Sequence, residues 1–313
     1  MDKKTVFSAK APASISNLGP GFDCLGLALH GWHDTVHVKL TTAPEYRVTF
    51  NTAGAWSGPT DPQANTASVA AMHVAEVSGY EGGAHLEIHK GIHAGSGLGS
   101  SAASAVAGAL AMNLALGGRL AKHDLIDSCL AGESVVSGAK HGDNVIPALM
   151  GGIVLVEPGN PSVFRRITVP GNLHLAVILP SIEVLTQQAR TILPHSVDLN
   201  AASVWASRLG QLVDAIHSED VTRIGHLVMS DEIVEPIRAT LLAPYSDIKK
   251  AALSGGAKGC ALSGSGPAMF AVCDSAQIAA DVAIKMQMAC LKHGIASIVR
   301  SDSVNRTGAT KTD

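Results

Sequence analysis

Charged side chains are scarce in this chain of 313 residues: Asp, Glu, Lys and Arg make up 16%, against roughly a quarter in ordinary globular proteins. A surface so poor in charge points to one that is partly covered, as in an oligomer. With 26 acidic and 23 basic residues the formal net charge is −3, and no basic run occurs, which leaves no electrostatic footprint for nucleic acid. Paired cysteines are missing too. Cys24, Cys129, Cys260, Cys273 and Cys290 are odd in number and far apart, with no Cys-x-x-Cys. They read as buried thiols in a reducing cytoplasm. The N-terminal MDKKTVFSAKAPAS has basic residues but no apolar core behind them, so no export signal is expected. Asp, Glu, Lys and Arg are all absent between Lys90 and Arg119, yet the apolar half of that stretch, Ala102 to Leu116, is too short to cross a bilayer. A buried helix is expected there instead.

What is present is an interleaved order of strands and helices, α+β in class. Thr35, His37 and Lys39 alternate with Val36, Val38 and Leu40, and His85, Glu87 and His89 with Leu86 and Ile88, the period of half-buried strands. Asn65 is placed to cap a helix running to Val77. Helices are expected at 100–116, 124–137, 199–217, 219–229, 245–254 and 275–292, and a strand pair around SGSGP. The Pro- and Gly-rich EPGNPSVFRRITVPGN is the expected domain boundary, dividing the chain into 1–165 and 166–313. The last dozen residues read as frayed.

One stretch stands out: HAGSGLGSSAA, residues 93–103, between a strand and a helix N-terminus. Such an arrangement binds phosphate, because backbone N–H groups converge, the helix dipole adds positive charge, and missing side chains admit the anion. A tight strand-to-helix turn would use the same residues. The Walker loop requires Gly-Lys-[Ser/Thr], and no lysine lies between Lys90 and Lys122. The dinucleotide fingerprint requires G-x-G-x-x-G, whereas Gly95, Gly97 and Gly99 form G-x-G-x-G. A phosphate loop without lysine needs another source of positive charge, and Mg²⁺ held by oxygen ligands supplies it. Ser100 and Ser101 offer hydroxyls, and Glu133, inside the apolar CLAGESVV, offers a carboxylate. The histidines at 30, 33 and 37 and at 85, 89 and 93 never form His-Glu-x-x-His, so no metal site is expected among them.

The loop GSGLGSSAAS resembles the ATP-binding motif of the GHMP kinases. Two further motifs of that superfamily occur in the right order: KAPASISNLGPGFD at Lys10–Asp23 and GAKGCALSGSGP at Gly256–Pro267. The resemblance implies a two-domain GHMP kinase fold. Its N-terminal domain would resemble ribosomal protein S5 domain 2, its C-terminal domain would be ferredoxin-like, and the active site would lie between them. It also implies that ATP and Mg²⁺ are bound. His93, Ala94, Gly95, Ser96, Gly97, Leu98, Gly99, Ser100, Ser101, Ala102 and Ala103 would form the nucleotide loop, and Ser101 (Ser100 as second choice) with Glu133 would hold the metal. His93 departs from the proline usual at that position.

Four other stretches are similar to the homoserine kinases within that superfamily: NLGPGFDCLGLAL (17–29), SGAKHGDNVIPALMGG (137–152), LTQQARTILP (185–194) and DEIVEPIRATLL (231–242). An amino-acid substrate needs a planar cation for its carboxylate, an anion for its ammonium and polar groups about its hydroxyl. Arg190 and Arg238 would provide the first; Asn17, Asp23, His141, Asp143 and Asn144 the rest. Taken singly, both arginines would suit exposed helices, Asp23 a turn and Asp143 a helix cap. The similarity implies phosphorylation of L-homoserine, a step of threonine biosynthesis, with a homodimer plausible. In mevalonate kinase relatives an aspartate, thought to be the base, stands seven residues before a Gly-Gly pair; here that position is Asn144. Asp143 and Asn144 are therefore expected to position the hydroxyl without a dedicated general base. A kinase for another small alcohol such as mevalonate, or a non-catalytic ATP and metabolite sensor, are the rival readings.

Overall fold

Where apolar residues recur every second position the chain pairs into sheets, and where small residues run unbroken it forms a helix that can be enclosed on all sides. The computed structural model describes residues 5–51, 58–138 and 140–312. Strand β1 (Phe7–Ser16) pairs antiparallel with the long β2 (Leu25–Thr41). β3 (Tyr46–Phe50), helix α1 (Thr66–Val77) and β4 (Gly83–His89) follow. β2 begins well before the alternating segment 34–41 because residues 25–29 are buried on both faces and so carry no period. Asn65 caps α1 as expected, accepting from the Ser68 N–H at 3.1 Å.

α2 (Ser100–Ala115) is the uncharged stretch. Ala102 to Met112 are all buried, and the helix is enclosed by α1, β1, β2 and the next helix, α3 (Ile126–Ser137). α4 (Gly142–Met150), β5 (Ile153–Val156) and β6 (Phe164–Ile167) complete the first half. The sheet order is β1-β2-β4-β3, with β3 parallel to β4 at one edge; β5 pairs with the N-terminal part of β2, and β6 with β5.

The second half comprises β7 (His174–Pro180), α5 (Thr186–Thr191), α6 (Leu199–His217), α7 (Val221–Val228), the short α8 (Glu235–Arg238), α9 (Tyr245–Ser254), β8 (Gly259–Leu262), β9 (Met269–Cys273), α10 (Ala276–Leu291), β10 (Ser297–Ser303) and β11 (Thr310–Thr312). Four of these strands form a second sheet, ordered β10-β7-β9-β8. β7 alternates strictly. Leu175, Val177 and Leu179 join the core shared with α6, α7 and the first half, while Ala176 and Ile178 join Met286, Val282 and Ile248 under α9 and α10. The sheet is thus sandwiched, and its inner face welds the two halves together.

Several elements differ from the sequence reading. β3, α4, α5 and α8 were unmarked by periodicity, being short or, in α4, interrupted by Pro147. The expected division after residue 165 falls inside β6, which the Pro- and Gly-rich stretch conceals. The C-terminus is not frayed: β11 pairs antiparallel with β1, Ser8 opposite Thr312, and takes up an edge that β1 would otherwise leave open. Among the described residues no helix is long and apolar enough to cross a membrane.

Candidate active site

The glycine turn joins β4 to α2 and lines a cleft of about 240 Å³ between the two halves. Gly95, Gly97 and Gly99 all have positive φ, 66°, 76° and 64°. At two of them space as well as torsion demands glycine. A Cβ on Gly97 would collide with the Ser263 carbonyl, and one on Gly99 would collide with Ser14 Oγ and lie 2.9 Å from Asn144 Oδ1. Both halves grip the turn. Ser14 N–H donates to Leu98 O (3.1 Å), Ala268 N–H to Ser96 O (3.0 Å), and Ser263 Oγ to Gly97 O (2.6 Å).

A cation does reach the head of α2. Lys90, at the end of β4, donates to the Asp34 carboxylate, to Ser100 Oγ (2.7 Å) and to Ser104 Oγ (2.9 Å). Asp34 is fully enclosed and also accepts from the Gly91 and Ile92 N–H groups, both at 3.0 Å, and from Ser104 Oγ at 2.7 Å. Sequence reasoning missed this pair, looking for lysine inside the loop rather than across the strand. Ser100 Oγ, receiving from Lys90, donates in turn to Ile92 O at 3.0 Å, so its hydroxyl is committed to the scaffold. Ser101, the next residue, also lines the cleft.

Opposite the turn, the β1–β2 connection holds Asn17, Leu18 and Asp23 at φ of 73°, 50° and 56°. Left-handed backbone costs about 1–2 kcal/mol at an ordinary residue, and it is retained here by specific bonds. Asn17 Oδ1 accepts from the Asp23 N–H (3.2 Å), while Asn17 Nδ2 donates to Gly264 O (3.0 Å). Arg190 of α5 grips Asp23 in a fork, Nη2 at 2.9 Å from Oδ1 and Nη1 at 3.1 Å from Oδ2. Arg238 of α8 donates to Gly264 O (3.0 Å) and Ala189 O (3.3 Å). Both guanidinium groups stand over the Phe22 ring, at 5.4 and 5.2 Å. Burial, with Arg190 nearby, lowers Arg238 to about 10.

At the floor, α4 starts with His141 as cap and carries Asp143 and Asn144 in its first turn. Asn144 Oδ1 accepts from the buried Ser14 Oγ at 2.8 Å, which ties the floor to the glycine turn. His141 stands 3.1 Å from Arg190 Nη2 through Nε2 and 3.4 Å from Glu133 Oε1 through Nδ1. Burial alone would lower the imidazole's pKa, but the Glu133 and Asp143 carboxylates outweigh it and hold it above the ordinary value. Burial pushes the Asp143 carboxyl up to about 7, with the Asp23 charge adding to the shift. As a metal donor set, Glu133 and Ser101 are both oxygen ligands on the cleft wall, which suits a hard divalent cation. Among the described residues no three His, Cys, Asp or Glu side chains gather as a closed metal site. A cation carried in by phosphates needs no such cage.

The cleft therefore brings together most residues expected from sequence: Asn17, Asp23, Ala94, Gly95, Ser96, Gly97, Gly99, Ser100, Ser101, Glu133, His141, Asp143, Asn144, Arg190 and Arg238 all line it. His93, Leu98, Ala102 and Ala103 do not. Leu98, Ala102 and Ala103 turn into the core, because the second half of the loop motif is already packed helix or its approach. His93 stands half-buried at the loop entry.

Two sequence profiles match the chain: GHMP kinases N terminal domain over residues 65–152, and GHMP kinases C terminal over residues 212–287. Fold and matches together define the class, an ATP-dependent kinase with the two-domain GHMP fold. Homoserine kinase of Arabidopsis thaliana is 39% identical over 307 residues, covering 94% of this chain and 82% of that protein. Homoserine kinase of Chlorobium phaeobacteroides is 35% identical, covering 96% and 97%. The crystal structure of homoserine kinase from Cytophaga hutchinsonii shares 38% identity with a TM-score of 0.93, covering 100% of this chain and 99% of that one. The chain belongs to the homoserine kinase family of GHMP kinases.

Proposed function

We propose that this protein transfers the γ-phosphoryl group of ATP to the side-chain hydroxyl of L-homoserine, giving O-phospho-L-homoserine and ADP, with Mg²⁺ as the cation. One juxtaposition supports this most: the glycine turn at the head of α2 and the Asp23–Arg190 pair open on the same cleft. A zwitterionic head group can exchange with that pair without changing net charge, its carboxylate on the Arg190 fork and its ammonium on Asp23. Arg190 Nε is buried and finds no acceptor among the described residues, so a further donor awaits a carboxylate. Mevalonate has no ammonium and would leave Asp23 with a displaced partner, a penalty against the wrong substrate.

In this reading the amides of residues 95–101 cradle the phosphates, reinforced by the dipole of α2 and by Lys90 beneath its first turn. Ser101 and Glu133 would hold Mg²⁺, which would neutralise phosphate charge. Arg238 and Asn17, both anchored on Gly264 O, fix the amino-acid side. Asp143 and Asn144 orient the hydroxyl, and Ser14 keeps Asn144 in place. Phosphoryl transfer has a loose transition state in which the hydroxyl loses its proton late, so positioning and charge stabilisation carry most of the rate and no dedicated base is required.

A coupled ADP-release assay with homoserine, mevalonate and shikimate tests the substrate. Turnover confined to homoserine, with phosphohomoserine seen by mass spectrometry, is the expected result. Turnover of mevalonate with homoserine inert would overturn it, and ATP binding without any product would favour a sensor. Family membership also supports a homodimer, a cytoplasmic site and a place in threonine biosynthesis; light scattering tests the first of these.

A further inference from the structure

Arg238 hangs on α8, a helix of four residues, too short to fix its own direction. A buried carboxylate does so. Glu235, on the same turn as Arg238 and 6% exposed, accepts from the Tyr245 hydroxyl, from Lys249 Nζ at 3.0 Å and from the Leu262 N–H at 3.3 Å. Lys249 Nζ also donates to Tyr245 Oη at 2.9 Å. Asp231 completes the hold on α8, accepting from the N–H groups of Ile233, Val234 and Glu235 at 2.9, 3.0 and 2.8 Å.

Three elements thus meet at one side chain: α8 through its own backbone, α9 through Tyr245 and Lys249, and the end of β8 through Leu262. β8 runs directly into Ser263 and Gly264, and Gly264 O is the acceptor shared by Arg238 Nη1 and Asn17 Nδ2, each at 3.0 Å. Glu235 therefore registers both ends of the Arg238–Gly264 bond. Neither it, Tyr245 nor Lys249 lines the cleft. An apolar trio of similar volume would pack α9 against the sheet as well or better. A directed ion pair in that place sets register instead, because charge-assisted bonds hold in one geometry only.

We propose that Glu235 is a positioning residue: bonded to Tyr245, Lys249 and the Leu262 amide, it sets where Arg238 and the Gly264 carbonyl stand, and so tunes affinity for the amino-acid substrate without touching it. This rests on the homoserine reading given above.

The test is steady-state kinetics of the full chain for wild type, Glu235→Gln, Tyr245→Phe and, as a packing control, Ala252→Gly on the buried face of α9. Glu235→Gln raises KM for homoserine about tenfold, the displacement of one charge-assisted bond, with KM for ATP changed by less than about twofold. Tyr245→Phe, which removes one hydroxyl from the same carboxylate and folds more safely, moves KM for homoserine in the same direction by about threefold. Ala252→Gly lowers the melting temperature and leaves KM for homoserine unmoved. Unchanged KM in both Glu235→Gln and Tyr245→Phe overturns the proposal, and so does an equal rise in the control. Wild-type protein inert towards homoserine would instead remove the substrate reading, and this inference with it.

Discussion

Replacing Lys90 by methionine isolates the role of the cation beneath α2. Asp34 is fully enclosed and Lys90 is 9% exposed, so the pair is shielded from solvent. Removing one member of a buried pair costs about 3–5 kcal/mol, because the survivor is left as an uncompensated charge. Asp34 would keep the Gly91 and Ile92 amides and the Ser104 hydroxyl, which places the expected loss at the lower end, about 3 kcal/mol. Ser100 and Ser104 each lose a donor, loosening the first turn of α2, so KM for ATP rises as well. Removing both charges with Asp34→Asn/Lys90→Met leaves no orphaned ion and recovers part of the loss, giving a coupling of about 2 kcal/mol in the double-mutant cycle. Guanidinium unfolding of the four proteins in the cycle measures it. A Lys90→Met protein within about 1 kcal/mol of wild type, or single losses that simply add, would refute the shielded pair.

Three further outcomes are expected. Gly99→Ala, strained at φ 64° and aimed at Ser14 Oγ, breaks the Ser14–Asn144 bond and loses turnover by more than about tenfold, with stability down by about 1–2 kcal/mol; unaltered kcat would contradict the geometry. The Asp143 carboxyl, raised from 3.8 to about 7 by burial, binds its proton more tightly in the folded state. Its contribution to stability is full below the unfolded pKa, declines as pH rises towards 7 and is lost above it. Asp143→Asn should therefore gain stability relative to wild type between pH 5 and pH 8 in urea titrations, and an offset independent of pH would exclude the raised pKa. Ser101→Ala and Glu133→Gln should each raise the Mg²⁺ concentration needed for half-maximal rate, whereas Ser100→Ala should chiefly lower the melting temperature; the opposite assignment would follow from the opposite result.

Much of the site was legible in the chain because its chemistry is concentrated in short contiguous motifs. The glycine turn had to be glycine, and Asn65, Asp23 and Arg190 stand where motif and capping rules put them. Other parts were legible and overlooked. Asp34 lies in phase with Val36 and Val38, and Lys90 in phase with Leu86 and Ile88, so opposite charges fall on the inward faces of neighbouring strands. Extending the pairing of Thr35 with His89 by one residue sets them face to face. The resemblance already ranked Ser101 ahead of Ser100; what was not legible is that Lys90 arriving from β4 and the Ile92 carbonyl both engage the Ser100 hydroxyl. β11 was invisible for a related reason, since a short polar tail has no period of its own and takes its order from the edge of β1.

From the sequence alone came the class of chemistry: a lysine-free amide turn, small residues that let α2 be enclosed on every side, and the residue types suited to an amino-acid head group. These are local properties of torsion, side-chain volume and charge. Tertiary structure decided which groups face one another across 130 to 250 residues: Ser14 with Asn144, Arg190 with Asp23, Arg238 and Asn17 on the same carbonyl of Gly264. Such meetings depend on how two sheets share one core, and no window along the chain contains that information.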